Sequence, residues 1–470
     1  MGEMHVPADA LHGATTQRAV LNFPVSGRPV PAEVITAFAM LKKACAEVNR
    51  HLGKLDVKRT KAIVAACDEL LGGLAADTAE WMRHFPIDVF QTGSGTSTNM
   101  NVNEVIANLA ALKAGKPIGA RDPIHPNDHV NMGQSSNDTF PTAMQVAGAM
   151  AIAGRLIPAL RRLHAALEDK AKAWDKVVKT GRTHLMDATP IRVGQEFGGF
   201  AAQVSYCIFR AERAMTRLAE NLPIGGTAVG TGINTHEDFG DLVSAKLAKA
   251  TGIEFAEAPN HFEAQSTRDC VVEASGELKT IAVALSKIAS DIRLLGSGPR
   301  CGFFELRLPA TQPGSSIMPG KVNPVIAESV IMVACQVVGH DAAIALGGFG
   351  GVGSILQLNV AMPMMAENLQ NSISLLANAS TMFAEKCIEG LELNEEIATG
   401  HVERSLMMVT SLAPALGYDA AAKVAKEAFE KGHTIREHVR HHRLLDDKEL
   451  DELLDPMSMT EPGGEGSAGG

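Results

Sequence analysis

The chain has 470 residues, of which 46 % are apolar and only 4 % aromatic, and its formal net charge is −10. One hydrophobic core rarely covers such a length, so two or three domains are expected, and cores built from Leu, Ile, Val, Ala and Met suit helical bundles. The acidic balance argues against non-specific nucleic-acid binding, although a local cluster of donors can still take an anionic substrate.

The seven cysteines (Cys45, Cys67, Cys207, Cys270, Cys301, Cys335 and Cys387) are scattered singly, with no Cys-x-x-Cys. This pattern fits reduced, mostly buried thiols in a cytoplasmic protein and gives no cluster for iron–sulfur ligation. Met1-Gly2-Glu3-Met4-His5 has no basic region followed by an apolar one, so a secretory signal is not expected. No window reaches ~18 uninterrupted apolar residues, the length of a membrane span, so no membrane partner is expected either.

Residues 1–133 read as a mostly helical first domain. Pro31 to Leu52 and Thr60 to Leu71 are amphipathic, and the small, polar stretch Gln91 to Asn101 runs into a helix predicted over Val102 to Ala114. Such a hydroxyl-rich loop can take an anion at a helix N-terminus. Plain N-capping by Thr98 or Asn99 explains the same residues. His125-Pro126-Asn127-Asp128-His129 and Gln134-Ser135-Ser136-Asn137-Asp138 follow. The second leads into a helix predicted from near Pro141, with Leu156, Leu160, Leu163 and Leu167 on one face and Pro158 as a source of kinking.

Residues 134–390 read as a central domain of long helices. Lys179 to Pro190 is expected to be a loop. The helix after it, Val193 to Leu218, points Phe197, Phe200, Val204, Ile208, Ala211 and Met215 inward. Val271, Ala274, Leu278, Ile281, Leu285, Ile288, Ile292 and Leu295 keep a three–four spacing throughout, a coiled-coil-type seam ended by Gly296 and Pro299. Further helices are predicted over Pro324 to Leu346 and Met364 to Phe383. Five such helices imply an extended bundle that needs partners on more than one face, hence oligomerisation. Gly225 to Gly232 follows no strand and is read as a turn. Gly348 to Gly353 fits G-x-G-x-x-G but follows a helical pattern, so it is a helix–helix joint rather than a nucleotide loop.

Residues 391–470 read as a small helical domain with a helix over Ala420 to Lys431 and a disordered Gly-rich tail from about Pro462. His438, His441 and His442 share a helix face by spacing. With no carboxylate or thiol evident beside them, a solvated basic face is the favoured reading and no metal site is assigned.

The densest chemistry lies in Gly314-Ser315-Ser316-Ile317-Met318-Pro319-Gly320-Lys321-Val322-Asn323-Pro324. Two glycines allow unusual backbone shapes, and between them lie two hydroxyls, an ammonium and an amide. These are parts that can hold a carboxylate and stabilise a developing anion. An ordinary Gly/Pro loop with satisfied hydroxyls would contain the same residues.

This stretch resembles the signature of the fumarase/aspartase superfamily in its class II fumarase and aspartase form, and the likeness runs nearly the whole chain, from Val6-Pro7-Ala8-Asp9 to Leu454-Asp455-Pro456. The resemblance implies an all-α, three-domain fold whose long helices form the core of a homotetramer, with active sites shared between subunits. It implies reversible hydration of fumarate to L-malate, a step of the tricarboxylic acid cycle, with no metal or organic cofactor. By the same likeness Ser315 is the catalytic base, and His184 is the active-site histidine, oriented and charged by Glu328. Ser94, Gly95 and Thr96 match one carboxylate-binding loop, and Ser135, Ser136 and Asn137 another. Thr183, Ser316, Lys321, Val322 and Asn323 match further substrate contacts, and His125, Pro126, Asn127 and Asp128 a second anion site.

His184, His125 and Ser136 favour fumarase over aspartase, which usually carries Gln at the His184 position. The other readings are aspartate ammonia-lyase and a non-catalytic structural relative, the latter disfavoured by the presence of Ser315, Lys321 and His184 together. The chain departs from the family at Gly353 to Asn359 and at Met186. Family members also usually have several more residues before the position of Met1, so a shortened first arm is expected.

Overall fold

The computed structural model describes residues 2–462, so the expected tail beyond Pro462 lies outside the described residues. The chain is dominated by helices. In chain order the ones that matter are α1 (Ala32–His51), α2 (Val57–Ala76), α3 (Thr96–Lys113), α4 (Ser136–Ala151), α5 (Ile157–Ala173), α6 (Val193–Ala219), α7 (Asp269–Leu295), α8 (Val325–Gly348), α9 (Met362–Phe383), α10 (Tyr418–Lys431) and α11 (Ile435–His442).

The seam of α7 is as the spacing predicts: all eight residues from Val271 to Leu295 are buried. The α6 seam drifts by one position. Cys207 and Ala214 are buried where Ile208 and Met215 were expected, and those two are only half-buried. Pro158 acts upstream of itself. Its missing N–H interrupts the helical ladder, and Ile152–Leu156 widens into a π-turn between α4 and α5.

Two helices start earlier than their apolar patterns suggest. Helix α3 begins at Thr96 and α4 at Ser136, so the polar residues before each pattern form the first helical turns. Ser135 caps α4 in a capping box with Asp138. Lys179 to Pro190 is not a loop but most of an antiparallel hairpin, β1 (Val178–Thr183) and β2 (Met186–Arg192).

Among the described residues, two continuous helices, Ser136–Ala173 and Val325–Gly348, are long and apolar enough to cross a membrane. The first is mostly buried in the fold. Helix α8 is not, and it exposes Met332, Val338 and Leu346.

The chain forms two compact units, each made of three separate pieces. The first comprises Met1–Ala159, Cys207–Val283 and Val333–Asn378; the second comprises Leu160–Tyr206, Ala284–Met332 and Ala379–Gly470. In the first unit, Val34, Ile35, Phe38 and Leu41 of α1 are buried together with Ile63 and Leu70 of α2, Val102 and Ile106 of α3 and Phe140 of α4. Phe38 meets Phe140 edge-on, ring centroids 5.8 Å apart.

In the second unit Trp174, Phe197 and Phe200 form a run of edge-on rings at 4.8 and 5.4 Å. A smaller core around Met408, Leu412, Val424, Ala428, Ile435 and Val439 closes the C-terminal part. There His438 is buried and faces the Glu427 carboxylate, so the histidine-rich stretch is not simply a solvated basic face.

The hairpin is anchored by charge. Glu305 is buried and pairs with Lys179 at 2.8 Å and Arg182 at 2.7 Å. Burial alone would raise its pKa, but the two cations more than offset that and hold it below the usual carboxylate range. Glu305→Ala would leave Arg182 without its carboxylate and Lys179 with Glu196 alone. We expect the unfolding free energy measured in urea to fall by about 3–5 kcal/mol; a loss under about 1 kcal/mol would place the pair among weak surface bridges.

Candidate active site

The sequence-predicted residues gather into two groups, one in each unit. In the first unit, Gly95 takes a left-handed conformation (φ 71°) immediately before α3 and makes no side-chain cap. A Cβ there would lie 2.0 Å from the Phe140 ring, so only glycine fits. Neither Thr98 nor Asn99 is the N-cap. Instead Gln91 Oε1 accepts from the backbone N–H and the hydroxyl of Thr98, at 3.0 and 2.8 Å.

This leaves the nearby hydroxyls to each other. Ser94 Oγ is 2.8 Å from Thr96 Oγ1, which is 2.7 Å from Ser136 Oγ. Ser94, Thr96 and Ser136 therefore form one chain of hydroxyls across the N-termini of α3 and α4, where partial positive charge from both helices favours an anion. The neighbours have other tasks. Ser135 Oγ accepts from the Asn137 N–H at 3.2 Å, and Asn137 Nδ2 donates to the Ala228 carbonyl at 2.8 Å.

Beneath the two loops lies a polar core that the motifs did not reveal. Lys42, fully buried on α1, donates to Asn99 Oδ1 (2.7 Å), Gln134 Oε1 (2.9 Å) and Asn131 Oδ1 (3.0 Å). Burial pulls its pKa down to about 8. Asp138, also buried, accepts from the N–H groups of Ser135 and Thr227, both at 2.9 Å, and burial pushes its pKa up to about 7. These residues tie the Thr96 helix, the Ser135 loop and the Gly-rich turn at 225–232 together. One sequence signal could have found Lys42: it interrupts the buried stripe Val34, Phe38, Leu41, Cys45 and Val48 of α1.

His125 to Asp128 lie at the start of the short turn Pro126–Val130, where His125 Nδ1 accepts from the Asp128 N–H at 3.2 Å. Asn131, just after that turn, is one of the ligands of Lys42.

In the second unit, Thr183 ends β1 and His184 occupies the tip of the hairpin. His184 and Leu185 form a two-residue turn with φ of 57° and 62°. Such turns usually use Asn-Gly or Gly-Gly, and a β-carbon at both positions costs backbone energy. At this strained turn His184 is exposed.

The loop from Gly314 to Pro324 closes on itself. The Gly314 N–H donates to the Lys321 carbonyl at 2.8 Å, and Asn323 Nδ2 donates to the Gly314 carbonyl at 2.6 Å. A Cβ on Gly314 would meet the Lys321 carbonyl oxygen at 2.3 Å. Within this closed loop Ser315 Oγ accepts from two backbone N–H groups, those of Met318 at 3.0 Å and Ile317 at 3.3 Å. Ser316, Lys321 and Val322 are exposed. Lys321, Val322 and Asn323 form one wall of a cleft that Arg293 and Arg307 also line.

Glu328 lies in the first turn of α8 and is exposed. Among the described residues, no hydrogen bond or ion pair joins it to His184 within the chain.

Comparison with known proteins gives one consistent result. Residues 2–339 match the Lyase family, and residues 408–461 match the Fumarase C C-terminus family. The class II fumarate hydratase of Corynebacterium glutamicum is 54 % identical over 465 residues, covering 98 % of this chain and 95 % of that protein. The mitochondrial fumarate hydratase of Rattus norvegicus is 49 % identical over 463 residues, covering 98 % and 89 %. The crystal structure of a class II fumarase from Schistosoma mansoni superposes with a TM-score of 0.93 at 38 % identity, covering 98 % of each chain.

Proposed function

The chain belongs to the class II fumarate hydratases, hydro-lyases that interconvert fumarate and L-malate, and from that premise we propose how its own residues divide the chemistry. In the dehydration direction the proton to be removed sits on the malate carbon next to a carboxylate. It is barely acidic, so the base must be strong and the aci-carboxylate well held. Ser315 is the base. The single observation that carries this is its Oγ, which accepts two backbone N–H groups that would stabilise an alkoxide.

The alkoxide takes the carbon-bound proton, and the electron pair moves into the adjacent carboxylate. The hydroxyl on the neighbouring carbon then leaves as water, protonated by His184, and the double bond forms. Lys321 with Ser316, Val322 and Asn323 binds on the loop side. The hydroxyl chain of Ser94, Thr96 and Ser136, with Gly95, Ser135, Asn137 and Thr183 around it, binds the carboxylates. Glu328 orients and charges His184. His125 to Asp128 form the second anion site.

We read the working enzyme as a homotetramer whose active sites combine loops from different subunits. Exposed apolar residues on the long helices support this: Tyr206 and Phe209 on α6, Val283 on α7, and Met332, Val338 and Leu346 on α8. We assign these faces to partner helices rather than to lipid. The segments 1–133, 134–390 and 391–470 are taken as the three family domains, and seven free thiols support a reducing compartment such as the cytoplasm.

The test is ultraviolet absorbance of fumarate with purified protein, starting from L-malate and, separately, from L-aspartate. Fumarate from malate alone is the expected result. Fumarate from aspartate would shift the reading to ammonia-lyase chemistry.

A further inference from the structure

Far from the proposed chemistry in sequence, helices α10 and α11 meet through a tight joint. Gly432 ends α10 in a left-handed conformation, and Thr434 caps α11 in a capping box with Glu437. The joint brings three metal-binding side chains together. His438 and His442 lie one turn apart on α11 with ring centroids 4.5 Å apart, and Glu427 projects from α10. Their donor atoms lie within 4.8 Å of one another.

We propose that Glu427, His438 and His442 form a binding site for a divalent first-row transition metal such as Zn²⁺ or Co²⁺, separate from the fumarase chemistry.

Two observations support it. The first is a donor pair already held together: His438 is 1 % exposed, and its Nε2 faces Glu427 Oε2 at 3.4 Å. The second is spacing. That 3.4 Å equals the edge of a tetrahedron with bonds of about 2.1 Å, the usual zinc–imidazole and zinc–carboxylate length. The widest donor separation, at most 4.8 Å, needs to close by at most about 1.4 Å to reach that edge.

Two imidazoles and one carboxylate select zinc, cobalt, nickel or copper over magnesium and calcium, which prefer all-oxygen sites. The burial gradient supplies an entry path. His438 is buried, Glu427 half-buried and His442 exposed, so the fourth coordination position faces solvent. One neighbour competes: Lys431 Nζ lies 3.1 Å from His442 Nε2 and must swing away for the ion to bind.

The experiment uses the full chain, stripped with a chelator and titrated with Co²⁺ while the visible spectrum is recorded, with Zn²⁺ calorimetry in parallel. One ion per chain is expected. Its spectrum should show tetrahedral cobalt without a thiolate charge-transfer band, which excludes the exposed Cys301 and Cys335 as ligands. His442→Ala and Glu427→Gln alter groups outside the buried core, so both should fold, and each should weaken binding at least about tenfold. Lys431→Met should tighten it. No stoichiometric binding, a thiolate band, or unchanged affinity in both ligand variants would overturn the proposal. None of these outcomes bears on Ser315 or His184.

Discussion

Ser315→Ala is expected to lower the turnover of malate by about 100- to 10,000-fold or more, the range for loss of one general base, while leaving the fold intact. The structure makes this substitution mild for the fold. Ser315 is half-buried in a loop, and the loop is closed by other contacts, namely the Gly314 N–H to the Lys321 carbonyl and the Asn323 amide to the Gly314 carbonyl. What alanine removes is the oxygen that accepts the Ile317 and Met318 N–H groups. Those donors act mainly once the oxygen is charged, so their effect belongs to the transition state. The loss should therefore appear in kcat, with KM little changed. Near-normal turnover from folded Ser315→Ala would remove Ser315 as the base.

The second large effect is expected at His184. His184→Gln should also cut kcat about 100- to 10,000-fold, and Glu328→Gln should cut it less if, as proposed, Glu328 acts through the imidazole. The double variant should be no slower than His184→Gln alone, since residues that act as a unit are not additive. Glu328→Gln should in addition shift the pH profile of kcat/KM, which a merely structural role would leave in place. Among the described residues no hydrogen bond or ion pair joins Glu328 to His184 within the chain, so the coupling proposed for them is one between subunits. Mixing the inactive variants Ser315→Ala and His184→Gln under conditions that exchange subunits should therefore restore part of the activity. Strict additivity of the two carboxamide variants, with no recovery on mixing, would separate Glu328 from the histidine.

The helical architecture was legible because periodicity is local. The three–four seam from Val271 to Leu295 is buried at every position, and a repeated apolar spacing needs no knowledge of distant residues to define a helix face. The misplacements also have local causes. Thr96 and Ser136 are polar first-turn residues, and an apolar pattern does not register a helix until its stripe begins. The hairpin tip at His184 and Leu185 was hidden because neither residue type signals a left-handed turn. Its geometry is imposed by the strand pairing on either side and by the buried Glu305 anchor.

By itself the sequence determined the long helices, the Gly314 to Pro324 loop and, through its whole-length likeness, the class of reaction. These depend on spacing along the chain and on residues adjacent to one another. Only the tertiary structure decided that Ser94, Thr96 and Ser136 share one chain of hydroxyls, that Lys42 holds Asn99, Asn131 and Gln134 together, and that Glu427 faces His438. Most of these partners lie far apart in the chain, and even Glu427 and His438 meet only because the helix joint folds back. Which polar groups meet is settled by helix packing, because a buried donor must find an acceptor wherever the packed elements place one.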